Sequence, residues 1–166
     1  RCELVVVSDS QRHTDTTALA HVLLPAATWG EKSGTVTNSE RRISRQRAFL
    51  APPGEARPDW WTITQVARRL GHAAAFPYES PADIFREHAA LSAFENDGAR
   101  DFDIGGIATL GDADYDAMPP VQWPAPLGRH APARLFADGR FYTASGRARM
   151  VAVEPRGPEH SPDEQF

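Results

Sequence analysis

Proline and glycine divide this chain into short segments and so limit what it can fold into. The 166 residues include 14 prolines and 12 glycines, together about 16% against roughly 12% in average proteins. Because proline neither continues a helix nor pairs inside a sheet, Pro25, Pro52–Gly54 and Met118–Pro132 predict short elements followed by a proline-rich stretch. No apolar run approaches the roughly 20 residues of a membrane span, so no transmembrane helix is predicted.

The first 25 residues follow a strand–helix–strand pattern. Glu3–Val7 is apolar and β-branched, which is typical of a parallel strand buried on both faces. Thr14 or Asp15 can cap a short helix to about Ala20, and His21–Leu24 predicts a second strand. This succession predicts an α/β layer. The chain opens on a strand-like run without an initiating Met, so we expect a piece of a longer protein.

A polar loop and two helices are predicted for the middle of the chain. Thr28–Arg47 is irregular and rich in arginine and turn formers, which favours either a functional loop or a solvated surface excursion. One helix is predicted from Pro58 to Gly71, and another begins at Ser80–Pro81. Their expected apolar faces are Trp60, Ile63, Val66, Ala67 and Leu70 in the first and Ile84, Phe85, His88, Leu91 and Phe94 in the second.

Extended structure is predicted for the remainder. Residues 118–133 hold five prolines and predict a linker. Beyond the linker, Arg134–Phe136 and Phe141–Thr143 flank Asp138–Gly139, a dipeptide that favours a β-hairpin turn. Ala148–Val153 predicts a further strand before a polar tail.

Charge and cysteine content exclude several classes of protein. The 18 basic and 22 acidic residues give a net charge of −4, which argues against a nucleic-acid partner. The single cysteine, Cys2, excludes an internal disulfide and a cysteine-ligated zinc or iron–sulfur site within the segment. The six histidines lack metal-ligand spacing, and no phosphate-loop or hydrolase motif is present. These absences argue against catalysis by this segment alone.

Ser8 and Asp9 directly follow the first predicted strand, at the strand end where open α/β sheets bind nucleotides. A carboxylate there can accept a hydrogen bond from a ribose hydroxyl or from the N–H groups of a purine. The alternative is an aspartate that only caps a helix or closes a turn.

Lys32 and Asp59 are two further candidates. Lys32 is the only lysine among 18 basic residues and lies in the glycine-flanked loop Gly30–Gly34, where a compact ammonium suits a phosphate or a heterocycle oxygen. Chance survival of one lysine is the alternative. Asp59 begins a helix beside two tryptophans, and its alternative role is a favourable interaction with the helix dipole.

The run from Ala20 to Arg42, which contains Gly30-Glu31-Lys32-Ser33-Gly34, resembles a signature of the large molybdopterin oxidoreductases. Pro52–Trp60, Gln122–Pro124 and Phe141–Arg149 resemble the assimilatory nitrate reductase branch of that family. The similarity covers roughly residues 4–155 and is weak between residues 73 and 117. Ser33 and His21 depart from the residues that relatives often carry.

The resemblance implies an α/β fold in three parts. Residues 1–117 would end a Rossmann-like domain, residues 118–133 would be the linker, and residues 134–166 would supply the first strands of a C-terminal barrel domain. By motif position, Ser8, Asp9, Lys32 and Asp59 match residues that contact a molybdopterin guanine dinucleotide in relatives. The molybdenum ligand and the cysteines of a 4Fe–4S cluster would lie outside this segment.

The function that the resemblance implies is reduction of nitrate to nitrite by oxygen-atom transfer at a bis-molybdopterin guanine dinucleotide site. The partners would be nitrate and an electron-donor protein or reductase subunit, and the location would be the cytoplasm. The segment alone is expected to be inactive. Two alternatives stay open: a formate dehydrogenase of the same family, and a nucleotide-binding module without catalysis.

Overall fold

The structure, a computed structural model, describes residues 2–128 and 134–159. The chain separates into two compact units, Arg1–Ala131 and Pro132–Phe166. Helices and strands are mixed in the first unit, so the α/β class is confirmed. The Rossmann-like and barrel assignments and the domain bounds stay predictions.

The first two strands are parallel, as the pattern predicts. β1 (Val6–Asp9) pairs with β2 (Val22–Pro25) in the register Val6↔Val22 to Asp9↔Pro25. The strand predicted over residues 3–7 therefore begins and ends later, and the prediction that it is buried is wrong for this chain. Val6 is half-exposed, and among the described residues β1 pairs with one strand only, so its second edge is not covered by a strand.

The connection between β1 and β2 contains a three-residue 3₁₀ helix, Thr17–Leu19, instead of the predicted longer helix. The hydroxyl of Thr17 donates to the carbonyl oxygens of Arg12 and Thr14. Side-chain bonds of this kind compete with the hydrogen bonds of a regular helix, which accounts for the shorter element.

A third segment joins this sheet through a single bridge. Ala26 and Arg57 form a parallel β-bridge. The Ala27 N–H donates to the Arg57 carbonyl at 2.9 Å, and the Arg57 N–H donates to the Pro25 carbonyl at 3.1 Å. We call residues 6–9, 22–26 and 57 the parallel ladder.

The prediction that Thr28–Arg47 is irregular is wrong, because most of it folds as a β-hairpin. β3 (Gly34–Thr37) pairs antiparallel with β4 (Arg42–Gln46), and β4 pairs with β5 (Val121–Gln122). Ile43 is the only buried residue of β4. Arginines and polar residues occupy the other positions, so the apolar alternation that marks a strand is missing from the sequence.

α1 (Asp59–Ala67) begins one residue later than predicted, with Pro58 as its N-cap, and continues as a π-helical turn over Arg68–His72. Gly71 has φ +94°, the left-handed conformation expected of a residue that ends a helix. The expected apolar face is mostly wrong: Ile63, Val66 and Leu70 are exposed. The small side chains of Thr64 and Ala67 are the buried ones in α1.

α2 (Pro81–Ala93) begins at the predicted position. Ser80 caps it, and Ser80 and Asp83 form a reciprocal capping box. The expected apolar face is again shifted, because Leu91 and Phe94 are exposed. The buried residues of α2 are Ala82, Phe85, Ala89 and Ser92.

The core of the first unit lies against the antiparallel sheet. Its buried residues come from β4, α2, α3 (Asp112–Ala117) and the connections between them. They are Ile43, Ala82, Phe85, Ala89, Ile104, Tyr115 and Met118. We call this cluster, with β3, β4 and β5, the antiparallel core.

The predicted linker begins inside this core. Met118 is buried, Val121–Gln122 forms β5, and the Trp123 N–H donates to the Arg41 carbonyl at 3.0 Å. Residues 129–133, which complete the predicted linker, lie outside the described residues.

The second unit has the predicted turn, but residues 134–159 contain no strand. Gly139 has φ +72°, its N–H donates to the Phe136 carbonyl at 3.0 Å, and the rings of Phe136 and Phe141 stack at 4.7 Å. Ala148–Val153 has no strand partner within residues 2–128 and 134–159, and Met150 and Val153 are exposed. The predicted hairpin and barrel strands are therefore not formed in the described residues, and residues 160–166 lie outside them.

Candidate functional site

The structure brings two of the four predicted site residues into direct contact. The Lys32 Nζ lies 3.0 Å from the Asp59 Oδ2, although the two residues are 27 positions apart in sequence. The side chain of Lys32 is 29% exposed and that of Asp59 is 54% exposed. Both charged groups are therefore open to a ligand at this point.

The parallel ladder places Asp59 beside the end of β2. Because Arg57 bridges Ala26, the first turn of α1 starts where the neighbouring parallel strand ends. Pro58 caps the helix in extended conformation, and Asp59 lies in the first turn, where the helix dipole favours a negative charge. This interaction was the alternative explanation for Asp59, and it coexists with the ion pair to Lys32.

A short 3₁₀ helix, Trp29–Glu31, presents Lys32. Thr28 and Glu31 form a capping box in which the Thr28 N–H donates to the Glu31 Oε2 at 2.8 Å. The Gln46 side-chain amide donates to the carbonyls of Trp29 and Lys32 at 2.6 and 3.2 Å. The turn before Lys32 is thus fixed by side chains on both sides.

Gly30 lets this turn approach the chain that follows β4. A Cβ atom at Gly30 would lie 2.8 Å from the Phe49 Cζ, closer than real Cβ contacts allow. The N–H groups of Phe49 and Leu50 both donate to the Gly30 carbonyl at 2.9 Å. Glycine at this position therefore leaves room for the Phe49 ring, which would have to move aside for any larger residue.

Ser8 and Asp9 end β1 at the same edge of the parallel ladder. The Asp9 carbonyl accepts a hydrogen bond from Ala26 at 3.0 Å, and its Oδ1 accepts one from the Gln11 N–H at 2.9 Å. The second carboxylate oxygen is not used by this turn. Ser8, one residue earlier, is exposed. Parallel strands end at a common edge, so Asp9 and Asp59 follow segments that end on the same side of the sheet.

The donor and acceptor set at this edge is polar and of mixed charge. An ammonium group has three N–H donors, and the pair with Asp59 uses one of those of Lys32. The carboxylates of Asp9 and Asp59 can accept from N–H or O–H groups. Trp60 adds an indole N–H that is buried without a hydrogen-bond partner among the described residues. This set suits a ligand with both acceptor oxygens and N–H or O–H donors.

Four residues that shape this region were not predicted as site residues from the sequence. They are Thr28, Gly30, Glu31 and Gln46. The only sequence signal for Gly30 was its place in the glycine-flanked loop. Gln46 gave no signal, because it follows an arginine-rich stretch that was not recognised as a strand.

Residues 2–128 and 134–159 contain neither a metal-binding cluster nor a membrane-spanning helix. No three His, Cys, Asp or Glu side chains there are grouped so that they could hold a metal ion. No helix in these ranges is long and apolar enough to cross a membrane.

A family model described as molybdopterin oxidoreductase matches residues 1–69, the range that contains all four predicted site residues. The chain is 53% identical to a nitrate reductase of Klebsiella oxytoca over 94% of its length and 46% identical to one of Shewanella frigidimarina over 90%. It is 34% identical to the F420-dependent formate dehydrogenase subunit alpha of Methanocaldococcus jannaschii over 92%. The chain spans about a fifth of the length of these relatives, 18%, 16% and 21%. The chain belongs to the molybdopterin oxidoreductase family.

Proposed function

We propose that this chain is a cofactor-binding segment of a nitrate reductase and that it contacts a molybdopterin guanine dinucleotide through Ser8, Asp9, Lys32 and Asp59. The observation that carries the proposal is the Lys32–Asp59 pair at 3.0 Å, formed where α1 begins beside the end of β2. A guanine nucleotide offers phosphate and ring oxygens to an ammonium and N–H or O–H donors to carboxylates. The residues present therefore fit this group.

Each side chain has a distinct part in this proposal. Lys32 donates to an oxygen of the nucleotide while Asp59 holds its ammonium in place. Asp9 accepts from the nucleotide with the carboxylate oxygen that its own turn does not use. Ser8 adds a hydroxyl that can donate or accept. When bound, the cofactor supplies two-electron oxygen-atom transfer, and these residues orient its nucleotide end.

The rest of the proposal concerns the longer protein. Nitrate would be the substrate, an electron-donor protein or reductase subunit the source of electrons, and the cytoplasm the location. The cofactor would carry molybdenum on two molybdopterin guanine dinucleotides, and a 4Fe–4S cluster would be bound outside this segment. Residues 1–117 would complete a Rossmann-like domain and residues 134–166 would begin a barrel. The identities to nitrate reductases over nearly the whole chain support this proposal.

A formate dehydrogenase is the second candidate. The 34% identity to a formate dehydrogenase subunit over 92% of the chain favours it over families without this cofactor. Turnover decides between the two, since a nitrate reductase consumes reduced dye with nitrate and a formate dehydrogenase reduces oxidised dye with formate. A non-catalytic nucleotide-binding module would do neither and would hold no molybdenum. We expect the 166-residue chain alone to show neither activity.

The proposed contact is tested by Lys32→Ala and Lys32→Arg in the nitrate reductase polypeptide that carries this segment. Both variants should lower the molybdenum and guanine nucleotide content per folded protein. The reason is that arginine keeps the charge but is longer and planar, so its nitrogens should not reach the position of the ammonium.

A matched control is Arg68→Ala, which removes an ion pair to Glu79 at 2.7 Å from a side chain that is 27% exposed. Arg68 follows the last residue of α1, whereas Asp59 is its first residue. Arg68→Ala should keep the cofactor. Full cofactor content in Lys32→Ala would refute the contact, and full content in Lys32→Arg would reduce it to a general charge effect.

A further inference from the structure

We propose that Gln46 is a positioning residue for Lys32: its side-chain amide fixes the turn that presents the ammonium to Asp59. The inference rests on the proposed function, in which Lys32 contacts the nucleotide. It concerns a residue of the hairpin and not a residue expected to touch the cofactor.

The geometry of the amide carries the first step. The Gln46 Nε2 donates to the carbonyls of Trp29 and Lys32 at 2.6 and 3.2 Å. An amide nitrogen has two N–H donors, so both are used. The two carbonyls lie at the start of the 3₁₀ helix and just after its end, where Lys32 is already extended with φ −132° and ψ 150°. One side chain therefore sets the direction in which the chain leaves the turn.

The second step is that Gln46 is itself held firmly. It ends β4 and pairs with Gly34, two residues after Lys32. Its neighbour Arg45 has a side chain only 4% exposed, which lies 4.0 Å above the ring of Tyr115 and pairs with Asp116 at 2.9 Å. Arg45 also donates to the carbonyls of Gly34 and Gln46. The consecutive β4 residues Arg45 and Gln46 thus hold the segment that contains Lys32 at both ends, because Gln46 bonds Trp29 before Lys32 and Arg45 bonds Gly34 after it.

The third step concerns what loss of the amide would do. The carbonyls of Trp29 and Lys32 lie on part-exposed residues, so water can replace the lost donors and the fold should persist. The direction of the turn would no longer be fixed, and the Lys32–Asp59 pair would open for more of the time. The change should therefore appear in the reactivity of Lys32 more than in thermal stability.

The test is the rate at which acetic anhydride acetylates Lys32, read by peptide mass spectrometry in the polypeptide that carries this segment. Lys32 is the only lysine of these 166 residues, so one site reports the pair. Gln46→Met keeps the length of the side chain and removes the N–H donors. We expect a several-fold faster acetylation of Lys32 with little change in melting temperature, because an unpaired amine is more often free and accessible.

The chain offers a matched control in Gln122→Met. The Gln122 amide donates to the Glu40 carbonyl at 2.8 Å from the neighbouring strand β5, at the far end of the hairpin. This variant should leave the Lys32 rate unchanged. An unchanged rate in Gln46→Met, or an equal increase in both variants, would overturn the inference. If Gln46→Met does not fold, Gln46→Ala tests the same outcome.

Cofactor content separates this inference from the function on which it rests. If Gln46→Met speeds acetylation while Lys32→Ala keeps its full molybdenum content, the positioning role stands and the proposed function fails. If Lys32→Ala loses cofactor while acetylation in Gln46→Met matches wild type, the function stands and the positioning role fails.

Discussion

The parallel ladder and the antiparallel core are built from different kinds of side chain. The buried residues of α1 and of the segments around the ladder are small, such as Ala27, Ala56 and Thr64. The core buries Phe85, Tyr115 and other large residues. Large apolar side chains near the ladder are mostly exposed instead. They are Val6, Val22, Leu23, Trp61, Ile63, Val66 and Leu70.

This difference separates stability from binding within one compact unit. Burial of large apolar groups is the main source of folding free energy, so the antiparallel core should supply most of it. All four candidate ligand residues lie on or next to the parallel ladder. Arg45 and Gln46 connect the two regions, because they belong to a core strand and hold the loop that carries Lys32.

The strongest test of the comparison removes one large side chain from each region. Phe85→Ala should cost about 3–5 kcal/mol of unfolding free energy, because Phe85 is buried against Tyr115 with ring centroids 5.3 Å apart. Ile63→Ala, on the exposed face of α1, should change it by about 0.5 kcal/mol or less. Urea unfolding of the chain measures both. Equal costs would mean that the two regions contribute alike.

A smaller effect on the free energy of unfolding is expected from removal of the charge of Asp83, in the first turn of α2. The pKa of Asp83 is lowered chiefly by the hydrogen bond from the Glu79 N–H, against an opposing effect of burial, and also by hydrogen bonds from Arg86 and Ser80. A lowered folded-state pKa means that the carboxylate stabilises the fold above its unfolded value of about 3.9. That contribution is lost as the pH falls through the lower, folded value.

Asp83→Asn should therefore cost about 1 kcal/mol near pH 6, as for a carboxylate in the first turn of a helix. The difference from wild type should begin to shrink below about pH 3.9, where the unfolded state takes up a proton, and it should be lost as the pH falls through the lower folded-state pKa of Asp83. Unfolding by urea at several pH values measures the change. Asp15→Asn, at an exposed position, serves as the control. A cost that is independent of pH would show that the charge of Asp83 is not involved.

The smallest effect on stability is expected at the candidate site. Asp59→Asn removes the ion pair to Lys32, but the pair is largely solvated, so the cost should be about 0.5 kcal/mol. The same variant should lower cofactor content in the longer polypeptide. A stability loss as large as that of Phe85→Ala would show that Asp59 is a structural residue, which would remove the contrast between the two regions.

Sequence reasoning succeeded where the signal is local. The two strands that end at Asp9 and Pro25, the start of α2 at Ser80, and the helix end at Gly71 follow from propensity and capping, although the helix predicted between the two strands is only a 3₁₀ turn. The Lys32–Asp59 contact could not be predicted from spacing. It depends on the bridge between Ala26 and Arg57, which pairs segments that are far apart in the chain.

The predictions that were wrong share one physical cause. Whether a side chain is buried depends on the elements that pack against it, and the local sequence does not specify them. Leu91 and Phe94 fit a helical stripe, yet α2 turns Ala89 and Ser92 inward, and the Ser92 hydroxyl accepts a hydrogen bond from the Ile104 N–H at 2.9 Å. β4 was missed because its buried position, Ile43, stands alone among polar residues. The turn at Asp138–Gly139 formed without strands, since a turn signal does not supply a sheet to join.

The bridge between Ala26 and Arg57 has a consequence for how this edge can vary in evolution. Its alignment depends on the main-chain N–H groups of Ala27 and Arg57, which every residue except proline carries. The side chain of Arg57 makes neither of these two main-chain bonds, whereas a proline at this position would remove one of them. The position of Asp59 relative to the end of β2 is thus set by the main chain and not by the identity of the side chains at this edge.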